Sequence, residues 1–430
     1  MRKTIDVVTM GCSKNLVDSE RVIKMFEDVG FSVRHNADNF GGDIVVINTC
    51  GFIGDAKEES VEMILNAVAA KADGVVDEIY VMGCLSERYR SELKAEIPEV
   101  DGWYGKFDWT ALASDLSRRH PATAPWERVL TTPSHYTYLK IAEGCNRFCS
   151  FCAIPLITGR FKSRPVEEIL DEVRELVARG VKEFNVIAQD LSSYGLDLYG
   201  EHRLADLIDR MADIEGVGWI RLHYAYPADF PWDVLEVMAR RDNVCRYLDV
   251  ALQHISDNVL SNMRRHIDSA ATRNFLERVR KAVPGIHIRT TLMVGFPGEG
   301  QKEFDELKAF VAEQRFERMG AFAYCEEEDT YGAKNFADDI PQEVKNSRLD
   351  ELMAIQEDIS LEHNRSKIGS RLKVLVDSVG DDYYVARSEF DSPEVDPEVL
   401  IEKTADLQPG DFVTVEIVDA MPFELIAKLV

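Results

Sequence analysis

A chain of 430 residues is too long for one ordinary hydrophobic core and calls for two or three domains. Its 45% apolar and 29% charged residues describe a globular protein. No run of about 18 apolar residues occurs and no signal-peptide core follows the two basic residues at the start, so a cytoplasmic protein with reduced thiols and no membrane partner is expected. Fifty Lys plus Arg against 76 Asp plus Glu give a net charge of −26, which opposes condensation on a polyanion and favours a basic partner.

Along the chain, the runs "TIDVVTM", "DIVVINT" and "EIYVMG" read as strands, and "LVDSERVIKMFEDVG" and "AKEESVEMILNAVAAKA" as amphipathic helices. Alternation of this kind predicts an open parallel α/β sheet over residues 1–122. The proline-interrupted stretch at 123–135 has no sustained period and reads as a linker. Six further strand-like runs, "YLKIAEG", "EFNVIAQD", "WIRLHYA", "YLDVALQH", "IHIRTTLMVGFP" and "RMGAFAYC", each adjoin a helical stretch. They predict a partial (β/α)6 barrel over 136–366. From 367 to 430 the period changes to two, and five short strands predict a small antiparallel β-barrel.

"EGCNRFCSFCAIP" places Cys145, Cys149 and Cys152 within eight positions of a chain with eight cysteines in all. Spacing of i, i+4 and i+7 also fits one buried helix face, where free cysteine behaves as a small hydrophobe. The segment instead follows a strand and carries Gly144 and Asn146, which suit a loop at the carboxyl end of a barrel strand. Structural zinc wants four protein ligands, and no fourth His or Cys is near. A cubane held by three thiolates leaves one iron open. The CxxxCx(aromatic)C pattern, with Phe151 before the last cysteine, resembles that of radical S-adenosylmethionine (SAM) enzymes. That resemblance implies a [4Fe–4S] cluster whose open iron chelates SAM and whose electron cleaves it to a radical that removes hydrogen from an unactivated carbon.

Cys12, Cys50 and Cys84 are scattered in sequence, yet each follows a predicted strand: "VVTMGC", "VVINTC" and "YVMGC". Carboxyl ends of parallel strands share one edge, where open α/β sheets bind ligands, so the three thiols are candidates to converge. Gly11, Gly51 and Gly83 beside them allow backbone to pass close to a bulky group. An N-terminal domain with three such cysteines, a radical-SAM barrel and a TRAM-like β-barrel together resemble the methylthiotransferases over essentially the whole chain. The resemblance implies a second [4Fe–4S] cluster on Cys12, Cys50 and Cys84 that carries the sulfur to be inserted, and an electron donor such as a flavodoxin or ferredoxin.

Cys245 and Cys325 have no partners at ligand spacing and read as packing residues. "GFPGE", opening with Gly295, is a glycine turn after a strand; family position makes it, Phe151 and Arg289 candidate walls of the SAM pocket. Gln189, Asp190, Gln253 and His254 also lie at predicted strand ends, although a lone histidine such as His254 is more often a satisfied core residue. No catalytic side chain beyond the cluster ligands is assigned.

Two subfamilies share this chemistry. The MiaB type methylthiolates an adenosine of transfer RNA, and the RimO type methylthiolates the β-carbon of an aspartate in the twelfth protein of the small ribosomal subunit. "GCSKNLVDSE", "CSFCAIP", "IAQDLSSYGLDLYG", "LQHIS" and "ARSEFDSPEVD" resemble the RimO type, which implies a basic ribosomal protein as partner; "AYCEEEDTYGA" departs from that type at Cys325 and Asp329. Residues 368–430 hold five Lys plus Arg and fourteen Asp plus Glu, a net charge of −9. Such a barrel is expected to repel RNA, whose binding depends on cations that release counterions, and to attract a basic protein. A reading from another class, an iron–sulfur protein that senses redox state without catalysis, needs no open iron and no barrel cavity. SAM cleavage by the reduced protein separates the two.

Overall fold

The computed structural model describes residues 3–124 and 126–430; Met1, Arg2 and Pro125, which fall in the expected N-terminal domain and linker, lie outside the described residues. Its contacts divide the chain into two compact units, Met1–Thr132 with Glu143–Asn146 and Cys152–Arg160, and Pro133–Ala142 with Arg147–Phe151 and Phe161–Val430.

In the first unit, β1 (Thr4–Thr9), β2 (Ser32–His35), β3 (Ile44–Thr49), β4 (Glu78–Gly83) and β5 (Gly102–Trp103) form a parallel sheet in the order β2-β1-β3-β4-β5. Its central strands are apolar on both faces, as a sheet covered on two sides requires. On one side Ile5, Val7 and Val46 pack with Val22 and Phe26 of helix α1 (Ser13–Val29). On the other, Val45, Ile47 and Val81 pack with Ile64 of α2 (Gly54–Ala72) and Leu85 of α3 (Cys84–Glu96). The edge strands β2 and β5 were not legible in the sequence, because "SVRH" is half exposed and β5 is two residues long. The expected linker is not loose: buried Glu20 of α1 accepts from the Thr131 amide at 2.8 Å and pairs with the buried Arg128 guanidinium.

The second unit holds the barrel strands. Short strands β7 (Ala142–Glu143) and β8 (Lys162–Ser163) flank the cysteine loop after β6 (Tyr136–Lys140). With β9 (Glu183–Ile187), β10 (Trp219–Ala225), β11 (Val244–Val250), β12 (His287–Val294) and β13 (Arg318–Ala323), β6 makes a six-stranded parallel sheet in the order β13-β12-β11-β10-β9-β6. All six predicted strands are present, and the barrel is open, since β6 and β13 are not paired.

Strands β14 (Arg371–Val379), β15 (Tyr383–Ser388), β16 (Glu398–Glu402), β17 (Phe412–Ala420) and β18 (Glu424–Leu429) form the closed C-terminal barrel around Val374, Ile401, Val415 and Leu425. Its pairs are antiparallel except β16 with β18, a parallel pair that closes the ring and that alternation in sequence does not reveal.

Three acids of the stretch after β15 are engaged within the protein. Asp391 is buried and accepts from Arg318 Nε at 3.0 Å; Asp396 takes the Arg289 guanidinium and the Tyr247 hydroxyl, the latter at 2.8 Å; Glu394 accepts from Tyr136 and Tyr138, each at 3.2 Å. These partners lie toward the amino ends of barrel strands. Beside them Glu183, also buried, sits between Arg221 and Arg387. Asp391 and Arg387 are buried and offset each other, and apart from the Asp396 carboxylate the other acids of the C-terminal barrel keep some exposure, so its surface stays acidic. Among the described residues no helix is long and apolar enough to cross a membrane.

Candidate functional site

Three adjacent parallel strands carry the N-terminal triad. Cys50 and Cys84 directly follow β3 and β4, and Cys12 caps the amino end of α1 just beyond β1. Glycines measure how closely the three turns approach. A Cβ on Gly11, whose φ is +84°, would lie 2.7 Å from Cys50 Cβ and 2.8 Å from its Sγ. A Cβ on Gly51 would lie 2.8 Å from the Cys84 carbonyl carbon and 2.6 Å from the Leu85 nitrogen. Only glycine tolerates such approach.

Asn15 ties the strand ends together, donating to the carbonyls of Met10 at 3.0 Å and Thr49 at 2.9 Å, while its Oδ1 lies 3.6 Å from Cys84 Sγ. Lys106, 2% exposed and just beyond β5, donates to Asp18 at 2.7 Å and to Asn15 Oδ1 at 3.4 Å. Burial opposes its charge, yet Asp18, Cys84 and Glu143 hold its pKa well above the ordinary lysine value.

The three thiols differ. Exposed Cys12 is held below the ordinary cysteine range: desolvation around its sulfur works against ionisation, but Lys14, the amides of Asn15 and Lys14, and Lys106 outweigh it. Burial raises Cys50, which the amides of Phe52 and Gly51 only partly offset. Burial pushes Cys84 up to about 12 despite Lys106, and the neighbouring Cys12 and Cys50 push it further.

The second triad lies in the loop after β6, of which Cys145 and Cys152 belong to the first unit and Cys149 to the second. Gly144, at φ +73°, lets the loop pass Arg160, whose carbonyl oxygen a Cβ there would meet at 2.1 Å; the Cys145 amide donates to Gly159 at 3.2 Å. In the second unit, Arg147 Nε donates at 2.7 Å to Asp190, which follows β9. Ser150 donates through its amide to Met263 at 3.0 Å, and its carbonyl accepts from Gly332 at 2.7 Å. Buried Arg265 donates through Nη1 to Cys149 Sγ at 3.2 Å. Burial opposes the charge of Arg265, but facing Cys149 and Tyr226 raises its pKa above the ordinary arginine value.

Other expected site residues divide. Phe151 packs edge-on to Phe296, with ring centroids 6.3 Å apart, beside Met263 and Tyr324. Gly295 directly follows β12 at φ +74°, and the Lys345 methylenes cover it; a Cβ there would lie 2.4 Å from Lys345 Cγ. Arg289 departs from expectation: it stands in the amino-terminal half of β12 and is committed to Asp396, because a buried carboxylate needs a cation. His254 is a satisfied core residue, with Nε2 3.2 Å from Glu299 and Nδ1 accepting from the Ser256 amide at 3.0 Å. Gln253 bridges to Leu292 at φ +71°, Gln189 lies two residues beyond β9, Cys245 is buried against Trp219 and Tyr247, and Cys325 is exposed.

Lys106 and Arg265 were missed. Lys106 follows a strand end and the same edge rule would have found it, had β5 been legible. Arg265, in "MRRHID", gives no local signal.

The donor sets fit iron–sulfur clusters. Each triad offers three thiols with a buried cation nearby, and cysteine thiolate is the usual cluster ligand. Among the described residues no group of three or more His, Cys, Asp or Glu is placed to hold a single metal ion.

Residues 139–311 match the Radical SAM superfamily, residues 4–105 match the uncharacterized protein family UPF0004, and residues 368–430 match the TRAM domain. The solved structure of the radical SAM methyltransferase TsrM from Kitasatospora setae, with cobalamin and a [4Fe-4S] cluster bound, has a TM-score of 0.57 at 15% identity, covering 77% of each chain; it supports the fold alone. Fold and matched segments together define a radical SAM protein with a TRAM domain. At the level of sequence, the chain is 58% identical over 430 residues to the ribosomal protein uS12 methylthiotransferase RimO of Bacteroides fragilis, covering 100% of both. It is 59% identical over 429 residues to that of Bacteroides thetaiotaomicron, covering 100% of this chain and 98% of the relative. The chain belongs to the RimO family of radical SAM methylthiotransferases.

Proposed function

We propose that this chain inserts a methylthio group at the β-carbon of an aspartate in ribosomal protein uS12, working in the cytoplasm with a flavodoxin or ferredoxin as electron donor. Identity of 58% across the full length of relatives named for that reaction carries the reading, and the MiaB-type alternative is not favoured. Within it, Cys145, Cys149 and Cys152 hold the cluster that binds SAM, and Cys12, Cys50 and Cys84 hold a second [4Fe–4S] cluster. When bound, these groups supply hydrogen abstraction from carbon and the sulfur to be inserted.

The chain's own residues bind and orient. Arg147, Asp190 and Ser150 fix the barrel loop so that its thiols meet a cluster in one geometry. Asn15 and the glycine approaches hold the three N-terminal turns together. Phe151, Phe296 and Tyr324 give the loop an apolar backing that keeps water from its inner side. The TRAM surface, with more exposed acids than bases, offers RNA no cation row, so weak RNA binding is part of the proposal.

Mass spectrometry of uS12 from cells with and without this protein tests the reading. A methylthio mass on the aspartate that disappears with the gene is expected; methylthiolation of transfer RNA with none on uS12 would overturn it.

A further inference from the structure

Arg265 is a charged side chain that the structure places in direct contact with a cysteine of the barrel loop. It is 3% exposed, and its fork divides between two acceptors: Nη1 reaches Cys149 Sγ at 3.2 Å, and Nη2 reaches the carbonyl of Ala251, just beyond β11. Its backbone is fixed by its amide, which donates to the Leu260 carbonyl at 3.0 Å, and by the Tyr226 hydroxyl, which donates to the Arg265 carbonyl at 2.5 Å. The Tyr226 ring carries two guanidinium groups, that of Arg265 at 4.2 Å from its centroid and that of Arg147 at 4.3 Å. Tyr226 is itself held by reciprocal bonds with Ser192, its amide donating at 2.9 Å and its carbonyl accepting at 2.9 Å. Ala251, Leu260 and Tyr226 thus hold one buried cation against one sulfur.

A solvated surface arginine would be screened and mobile; this one is desolvated and fixed. A cluster ligand's charge is felt most by the state that carries more of it. One-electron reduction adds a negative charge to a cluster, and hydrogen bonds to ligand sulfur together with nearby cations shift its potential upward. Arginine suits the place better than lysine, because its charge does not titrate away on burial and its planar fork satisfies the sulfur and the carbonyl at once.

We infer that Arg265 is a positioning residue of the radical SAM centre: its guanidinium, donating to Cys149 Sγ, raises the reduction potential of the cluster held by Cys145, Cys149 and Cys152 and so brings it within reach of the electron donor. This rests on the reading of those three cysteines as cluster ligands, and it adds to that reading a residue outside the cysteine motif.

The test uses the full-length chain, reconstituted anaerobically, with Cys12, Cys50 and Cys84→Ala so that only the barrel cluster contributes to the resonance spectrum. Iron and sulfide content are measured first, then the paramagnetic signal of the reduced cluster is titrated against potential for the background, Arg265→Gln and Arg265→Lys. Arg265→Gln is expected to keep its iron and to show, at the background's midpoint, about a tenfold lower ratio of reduced to oxidised cluster, a fall of 59 mV for one electron. Arg265→Lys, which keeps a charge without the fork, should recover part of that shift. Full iron with an unmoved midpoint in Arg265→Gln overturns the inference alone. If Arg265→Gln loses iron, Arg265→Lys decides, by a lowered or an unmoved midpoint; loss of iron in both overturns the redox role, because the guanidinium is then needed only to hold the loop. A background that binds no cluster overturns the ligand reading and this inference with it.

Discussion

The two cysteine triads reach similar chemistry by opposite routes. In the barrel loop, three thiols lie within eight residues, and the chain needs only a turn at Gly144 and anchors at Asp190 and Met263 to present them. In the N-terminal unit the thiols are separated by more than 30 residues each, and nothing local joins them; the order β1-β3-β4 in a parallel sheet does. Their electrostatics differ as well. Arg265 touches Cys149 directly, whereas Lys106 acts on its triad across the amide of Asn15 and is balanced by Asp18. A loop site can be built and tuned by single contacts, but a site assembled by topology depends on every element that fixes the sheet edge.

Exchange of the triads is the strongest way to break this comparison. Cys145, Cys149 and Cys152→Ala should abolish formation of 5'-deoxyadenosine, read by chromatography of the reduced enzyme with SAM. Cys12, Cys50 and Cys84→Ala should keep that activity and lose sulfur insertion completely. Equal loss of SAM cleavage in both, with the barrel folded, would refute the division of labour.

A second test probes the buried charge of the N-terminal site. Lys106→Met takes the Lys106 cation from Asp18, 1% exposed, and should destabilise the N-terminal unit by about 3–5 kcal/mol, measured by denaturant unfolding. Adding Asp18→Asn should restore much of that loss, since the penalty comes from a buried carboxylate that has lost this cation. An unchanged midpoint in the single variant would show that the pair is not integral to this edge.

The smallest effect sharpens the contrast most. Gly11→Ala forces a side chain into a left-handed position, costing about 1–2 kcal/mol, and pushes against Cys50, 39 residues away. Iron bound by the N-terminal triad should fall while that of the barrel loop is kept. Iron analysis of Gly11→Ala in a Cys145, Cys149 and Cys152→Ala background reads this directly; full retention there would mean that the turns are held less tightly than their spacing implies.

Much of the molecule was legible early. Period and punctuation gave the three central N-terminal strands, the six barrel strands and the five C-terminal ones, because buried parallel strands are continuous apolar runs and half-buried antiparallel ones alternate. The six cysteines stood out because each lies at a strand end or in a single short motif. Arg289 misled, since a strand residue's distance from the carboxyl edge decides which end of a barrel it serves, and Asp396 claims it at the other end. Net charge likewise says nothing of partners: Asp391 and Asp396 are internal, held by Arg318 and Arg289.

By itself the sequence determined the element types, the family resemblance and the identity of the candidate thiols, all of which rest on local spacing and composition. Tertiary structure alone decided that three distant turns share one edge, that Lys106 and Arg265 are cations beside the two triads, and that Asp391 and Asp396 are internal. The physical reason is that a charge's effect depends on its burial and its partner, and both are set by residues brought together across the chain: 91 positions separate Lys106 from Asn15, and 116 separate Arg265 from Cys149.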